Sequence, residues 1–120
     1  MPIAAGENVY FAWGFQDLCT RRAVSFLQPD IGRCGGITEW IKISRLASSN
    51  NLKLTSHLLH EISASLIGAF AAGFAVEFMD FFPKNAFTQD FTVLDGYINV
   101  PTVPGHGVQF SKHAINKYQI

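Results

Sequence analysis

Residues 52–70 read LKLTSHLLHEISASLIGAF. The apolar run Leu52–Ser56 is too short for a typical helix and close to the usual length of a strand. The apolar residues after it recur at helical spacing, at Leu59, Ile62, Leu66, Ile67 and Phe70. The segment therefore predicts a strand that leads directly into a helix, which is the repeating unit of parallel α/β sheets.

The same alternation extends along the chain in both directions. We predict strands at Val24–Gln28 and Phe74–Met79, and Pro2–Glu7 has the character of the end of another strand. Helices are predicted around Phe15–Arg22 and across Ile37–Ala47. The resulting order is β-α-β-α-β-α-β. Because a crossover helix returns the chain to the same end of the sheet, the strands should be parallel.

Local signals set the expected ends of the elements. Thr38 with Glu39 suits a helix start, Ser48–Asn51 suits a helix end, and Gly73 can close a helix in the left-handed conformation. Residues 81–120 lose the alternation and contain a hairpin-like stretch, Asp95–Pro101, so this tail is predicted to be loop and edge strand. We therefore expect one domain over residues 1–120, with the β/α units in residues 1–80.

The composition narrows the class of function. Nine Lys and Arg balance nine Asp and Glu, and no basic face is indicated for binding nucleic acid. The uncharged, largely apolar stretch Ile62–Val76 is shorter than the roughly 20 apolar residues of a membrane span. The first residues lack the features of a secretory signal, so a cytoplasmic location is expected. Cys19 and Cys34 have no CxxC spacing and are expected to be reduced structural thiols.

Four side chains with acid–base or metal-binding chemistry follow predicted strands. Glu7, Asp30, His57 and Glu77 each fall at or just beyond the C-terminal end of one strand. Parallel strands bring these ends to one rim, where α/β folds keep their active sites. Carboxylate oxygens suit Mg²⁺, and an imidazole oriented by an acid acts as a base near neutral pH. The placement predicts a site for metal binding and proton transfer.

Each of these residues also has an ordinary structural interpretation. Glu7 could cap the next helix, Asp30 could be a turn residue after Pro29, and Glu77 could be a solvated strand end. His57 could be a packed structural histidine. The occurrence of all four at equivalent positions favours a shared site over separate structural roles.

Other features favour structural roles. The glycine-rich loop Gly32–Gly36 matches no nucleotide-binding motif, which favours a tight turn over a phosphate cradle. Three histidines lack strand-end placement and are expected at the surface or in packing: His60, His106 and His113. Four aromatic residues after the last strand either join the core or cover a neighbouring subunit or domain: Phe78, Phe81, Phe82 and Phe87.

The chain resembles the mandelate racemase branch of the enolase superfamily, over the later strands of its catalytic barrel. The resemblance rests on segments that occur in order: PIAAGEN (2–8), QPD (28–30), GGITEW (35–40), SHL (56–58) with EIS (61–63), Glu77 and PGHG (104–107). It implies an α/β fold that is the C-terminal portion of a (β/α) TIM-type barrel. The chain would hold about the last three to four β/α units of an incomplete barrel.

By this resemblance, Glu7 is the last of three carboxylates that hold an essential Mg²⁺. Asp30 and His57 form a dyad in which the acid orients the imidazole that moves the proton α to the substrate carboxylate. Glu77 resembles the acid that hydrogen-bonds this carboxylate as it becomes enolate-like. The implied function is a Mg²⁺-dependent acid-sugar dehydratase, and the close alternative is a racemase or epimerase of a 2-hydroxy acid.

Parts of the family's machinery have no counterpart in this sequence: the two earlier metal carboxylates, the catalytic lysine and the capping domain. We therefore expect a C-terminal barrel part from a truncated, split or partial gene. Its open sheet edges and apolar inner face favour a homo-oligomer or pairing with a complementary barrel fragment. A second hypothesis is that the chain is catalytically inactive and serves only as an assembly piece.

Overall fold

The computed structural model describes residues 1–119, and residues 1–80 follow the predicted alternation of strands and helices. The elements are β1 (Ala4–Ala5), α1 (Phe11–Thr20), β2 (Phe26–Leu27), α2 (Gly36–Ser49), β3 (Lys53–Thr55), α3 (His60–Ala69), β4 (Gly73–Ala75), β5 (Val93–Leu94), β6 (Tyr97–Ile98) and α4 (Lys112–Tyr118).

The first four strands form one parallel sheet in the order β1-β2-β3-β4. Each strand pairs with its neighbour in sequence, as short helical crossovers favour. A parallel bridge between Asp30 and His57 continues the β2–β3 pairing beyond both strands. In the described residues the sheet stays open at β1 and β4, which confirms the expectation of an incomplete barrel.

The core lies between the sheet and the helices. Leu27 of β2 and Leu54 of β3 are fully buried, in one cluster with Phe15 of α1 and with Trp40 and Ile43 of α2. Burying side chains of this size removes a large apolar area from water and is the main favourable term in folding. The packed layer fixes the positions of the strand ends, where the candidate site residues lie.

The start of α1 depends on a contact that is distant in sequence. The helix begins at Phe11, earlier than the predicted Phe15, and the N–H of Ala12 donates to Glu39 Oε2 at 2.8 Å, from 27 residues further on. Hydrogen bonds from Lys42 and Ala12 lower the pKa of Glu39. Because Glu39 caps this helix end, the structural interpretation of Glu7 as its cap is wrong.

The prediction that Gly73 closes a helix is also wrong. The helix ends at Ala69, and Gly73 is the first residue of β4 without a positive φ. A Cβ at Gly73 would lie 2.0 Å from the carbonyl oxygen of Ile67, so the glycine permits a close backbone approach. The strand ends at Ala75 rather than at Met79, because pairing with β3 stops there.

The tail contains the predicted hairpin and one element that was not predicted. Strands β5 and β6 pair antiparallel around Asp95 and Gly96, whose φ angles are 51° and 81°. The unpredicted element is α4, where Ser111 Oγ accepts from the N–H of Ala114 at 3.0 Å and caps the helix.

Both cysteines are buried free thiols, as expected. Burial raises the pKa of Cys34 to about 11 and also raises the pKa of Cys19. None of the helices in residues 1–119 combines the length and the apolar character that a bilayer crossing requires.

Candidate active site

Asp30 and His57 form a hydrogen-bonded pair just beyond β2 and β3. The distance from His57 Nδ1 to Asp30 Oδ2 is 2.9 Å, and the two side chains are 18% and 6% exposed. A carboxylate can only accept, so the imidazole donates from Nδ1 and its other nitrogen, Nε2, keeps a free lone pair. The structure therefore brings these two predicted residues into the geometry of an acid–imidazole dyad.

The backbone of the following turn fixes the Asp30 carboxylate. Oδ1 accepts from the N–H groups of Gly32 at 2.8 Å and Arg33 at 3.1 Å, as in an Asx-turn. The Asp30 carbonyl also accepts from the N–H of Cys34 at 2.8 Å. Residues 32–36 therefore form the predicted tight turn. Because two N–H groups occupy Oδ1, the other oxygen is directed to His57.

Glu77 is attached to both neighbours of His57. Its Oε2 accepts from the N–H of Leu58 at 2.8 Å, and its own N–H donates to Ser56 Oγ at 3.1 Å. Ser56 is fully buried, and Glu77 is half-buried. Glu77 is therefore not a freely solvated strand end, since it is bonded to the segment that carries the imidazole.

Two consecutive leucines after His57 adopt the left-handed conformation. Leu58 has a φ of 49° and Leu59 a φ of 42°. For residues with a branched side chain this region costs roughly 1–2 kcal/mol each. The turn directs the Leu58 N–H to Glu77, and Leu59 packs against the core. Strain of this kind concentrates at functional sites.

Glu7 reaches the dyad through Arg33. The Glu7 side chain is half-buried, and its Oε2 accepts from the N–H of Gly6 at 3.2 Å. The main-chain oxygen of Glu7 accepts from Arg33 Nη1 at 3.2 Å. The same Nη1 lies 3.5 Å from His57 Nδ1 and 3.7 Å from Asp30 Oδ2. Sequence reasoning missed Arg33, whose one available signal was its position three residues after Asp30 in the turn.

Glu7 is the candidate metal ligand among these residues. The carboxylate of Glu7 has the oxygen chemistry that Mg²⁺ prefers. Within residues 1–119, however, no group of three or more His, Cys, Asp or Glu side chains is arranged to hold a metal ion. Glu7 is the one residue of this chain assigned to the metal, and that assignment stays a prediction.

The remaining histidines have the structural placements that were predicted. His60 is buried, its ring lies 4.4 Å from the ring of Phe78, and its Nε2 is 3.6 Å from Glu61 Oε1. His106 and His113 are exposed. None of these three histidines contacts the Asp30–His57 pair in the described structure.

Comparison with known proteins places these residues in a family. The chain matches the family described as "Enolase C-terminal domain-like" over residues 1–114. It is 30% identical over 106 residues to 3,6-anhydro-alpha-L-galactonate cycloisomerase of Streptomyces coelicolor, covering 88% of this chain and 29% of that protein. It is 31% identical over 129 residues to D-galactonate dehydratase of Ralstonia pickettii, covering 93% and 33%. The chain spans about a third of the length of these curated relatives.

A solved structure shows the same fold. L-Talarate dehydratase from Polaromonas sp. JS666, complexed with Mg and L-glucarate, superposes with a TM-score of 0.87 and 34% identity. The match covers 97% of this chain and 32% of that one. The relatives thus include acid-sugar dehydratases. The chain belongs to the enolase superfamily, in its mandelate racemase branch, as an enolase C-terminal domain-like protein.

Proposed function

We propose that this chain carries the proton-transfer part of a Mg²⁺-dependent acid-sugar dehydratase site. The observation that supports this most directly is the Asp30–His57 hydrogen bond, with Glu77 attached on both sides of His57. Two of the similar proteins are named as dehydratases of galactonate and talarate. Dehydration of such a substrate removes the proton α to the carboxylate and the hydroxyl of the next carbon.

His57 moves the proton through Nε2. With the ring proton held on Nδ1 by Asp30, Nε2 can accept the α-proton, and the Asp30 carboxylate stabilises the imidazolium that forms. The electron pair of the C–H bond first moves toward the carboxylate and forms an enolate. Collapse of the enolate forms the carbon–carbon double bond as the C–O bond to the hydroxyl breaks, and the hydroxyl leaves as water with the proton that Nε2 has taken. The resulting enol becomes a keto acid. In the alternative assignment another base takes the α-proton, and His57 only delivers a proton during this collapse.

Removal of the α-proton places negative charge on the oxygens of the substrate carboxylate. Glu77 would hydrogen-bond one of these oxygens as an acid and stabilise that charge. When Mg²⁺ is bound, with Glu7 as one ligand, it supplies further electrostatic stabilisation of the same charge. Within residues 1–119, Glu7 is the one metal ligand that we propose.

A specific observation also favours a second candidate, an inactive chain that serves as an assembly piece. Residues 1–119 contain no complete metal-binding group, and the sheet is open at β1 and β4. Open strands pair readily with other strands, which suits a homo-oligomer or a complementary barrel fragment. The two candidates differ in whether the purified protein acts on a substrate.

Turnover in D₂O separates the candidates. The purified protein is incubated with Mg²⁺ and D-galactonate, L-talarate or mandelate, and the products are followed by proton NMR. A dehydratase releases a 2-keto-3-deoxy acid from a sugar acid. A racemase or epimerase incorporates deuterium at the α-carbon without loss of water. An assembly piece gives neither product.

Matched histidine variants test the assignment of the dyad. His57→Gln should abolish both α-proton exchange and dehydration, because Nε2 is lost as a base. His113→Gln changes an exposed histidine of α4 and should retain the wild-type rate. Wild-type turnover by His57→Gln would contradict the proposed role of His57.

A further inference from the structure

We propose that Arg33 is a positioning residue, which holds the end of β1 against the Asp30–His57 dyad. This inference rests on the proposed function, because it gives Arg33 a part in the same proton transfer. The turn that contains Arg33 was expected to have only a structural role.

A single nitrogen of Arg33 contacts three strand ends. Nη1 donates to the carbonyl oxygen of Glu7 after β1 at 3.2 Å, and it lies 3.7 Å from Asp30 Oδ2 after β2 and 3.5 Å from His57 Nδ1 after β3. Because Nδ1 donates to Asp30 at 2.9 Å, it has no lone pair to offer Arg33, and the 3.5 Å approach of Nη1 to Nδ1 is a contact between two donors rather than a hydrogen bond. The guanidinium therefore lies beside the His57–Asp30 hydrogen bond, close to both His57 Nδ1 and Asp30 Oδ2.

The Asp30 carboxylate contacts both the main chain and the guanidinium of Arg33. The Arg33 N–H donates to Asp30 Oδ1 at 3.1 Å, while the guanidinium lies near Oδ2 of the same carboxylate. The Arg33 side chain is 42% exposed, whereas the Asp30 side chain is 6% exposed. A partly exposed ion pair contributes little to stability. The consequence of the contact is therefore geometric, because it directs a long side chain back over the strand ends.

The contact gives the end of β1 a second link. Besides the pairing of β1 with β2, the Glu7 carbonyl is bonded to Arg33, which lies in the turn after β2. Proton transfer beside a charge-stabilising group requires a fixed separation between them. Arg33 provides this by joining the main chain of Glu7 to the pair that carries the base.

Three variants test the positioning role through turnover. Arg33→Met should lower kcat about 10- to 100-fold with KM nearly unchanged, as for other residues that orient reacting groups. Arg33→Lys should restore most of the rate, because all three contacts converge on one nitrogen. The matched control is Arg21→Met, which removes an exposed arginine paired with Asp17 and should leave kcat unchanged. An equal loss in Arg33→Lys and Arg33→Met would overturn the proposal.

A spectroscopic measurement tests it without turnover. The Nδ1–H proton of His57, identified in ¹H–¹⁵N spectra by its loss in His57→Gln, should exchange with water faster in Arg33→Met than in the wild type. Circular dichroism checks that the variant is folded, and Arg33→Gln replaces Arg33→Met if it is not. Unchanged exchange together with unchanged kcat would overturn the proposal. The two proposals can also fail separately. If His57→Gln keeps the wild-type turnover while Arg33→Met still speeds the exchange of the Nδ1–H proton, the proposed function is rejected and the contact of Arg33 with the dyad is supported.

Discussion

Replacing Asp30 by asparagine should move the ring proton of His57 from one nitrogen to the other. The variant keeps the shape of the side chain and exchanges one carboxylate oxygen for an amide NH₂ group. Two backbone N–H groups, those of Gly32 and Arg33, lie 2.8 and 3.1 Å from Oδ1. They decide which way the amide points.

The magnitudes favour one orientation of the amide. An NH₂ group facing the two backbone N–H groups would leave each of them unpaired, at a cost of about 1–3 kcal/mol per group. The amide oxygen therefore takes the place of Oδ1, and the NH₂ group faces His57 Nδ1 at the former 2.9 Å contact. A donor at this position requires Nδ1 to accept, so the proton must lie on Nε2. Nε2, which the proposed function uses as the base, then carries a proton and has no lone pair to accept another.

Two effects of Asp30→Asn can be measured. The rate of α-proton exchange should fall roughly 10⁴-fold, by comparison with the same change in a Ser-His-Asp triad. The free energy of unfolding should fall by about 1–2 kcal/mol, because a charge-assisted hydrogen bond becomes a neutral one. Ring ¹⁵N chemical shifts of His57 report the tautomer, and urea denaturation reports stability. Asp17→Asn, at an exposed pair on α1, is the control.

A ring proton on the same His57 nitrogen in the wild type and in Asp30→Asn would contradict the predicted change of tautomer. A proton that moves to Nε2 with an exchange rate at the wild-type level would contradict the role of Nε2 as the base.

Further predictions concern the framework around the site. Ser56→Ala removes the acceptor of the Glu77 N–H and should lower the free energy of unfolding by about 1–3 kcal/mol, measured in urea; an unchanged midpoint would contradict the hydrogen bond. Gly73→Ala should destabilise the fold by at least about 1–3 kcal/mol, because its Cβ would lie 2.0 Å from a carbonyl oxygen. Gly68 lies in α3, and a Cβ added there has nothing within 4 Å, so Gly68→Ala should instead raise the free energy of unfolding by about 0.5–1 kcal/mol. Equal effects of the two changes on stability would contradict the steric explanation for Gly73. Stability should decline as the pH rises from 9.0 to about 11, because the folded state raises the pKa of Cys34 and the unfolded thiol ionises first. Cys34→Ala should flatten this decline in pH-dependent urea titrations, and a wild-type slope in that variant would exclude Cys34 as its cause.

The sheet was predictable because its signals are local. The periods of two and of 3.6 residues that mark strands and helices lie within single segments, so the order of elements in residues 1–80 follows from the sequence. The strands were predicted too long, because an apolar run such as Phe74–Met79 continues after the hydrogen-bonded pairing has stopped at Ala75. Contacts between segments were not predictable in this way. Glu39 lies in the first turn of α2, as predicted, but its bond to the N–H of Ala12, 27 positions earlier, was not foreseen. The prediction for Gly73 was wrong, because the glycine permits a close approach to the carbonyl of Ile67.

The candidate site was predictable to a similar extent. The rule that parallel strands end at one rim was sufficient to bring Asp30, His57 and Glu77 together. It could not reveal Arg33, because the contact of one nitrogen with three strand ends exists only after the turn has folded. The catalytic roles of these residues stay predictions until the variants above are measured.

Main-chain atoms make many of the links between the strand ends. The N–H of His57 donates to the carbonyl of Pro29 at 3.0 Å, Gln28 Nε2 donates to the carbonyl of Ser56 at 3.2 Å, and Arg33 and Glu77 each bond to a peptide group of a neighbouring segment. A peptide group is present whatever side chain a position carries. Substitutions at other positions of these segments therefore leave the spacing between the Asp30 carboxylate and the His57 imidazole constant. A framework that is linked through peptide groups can change its other side chains and still keep the geometry of this pair.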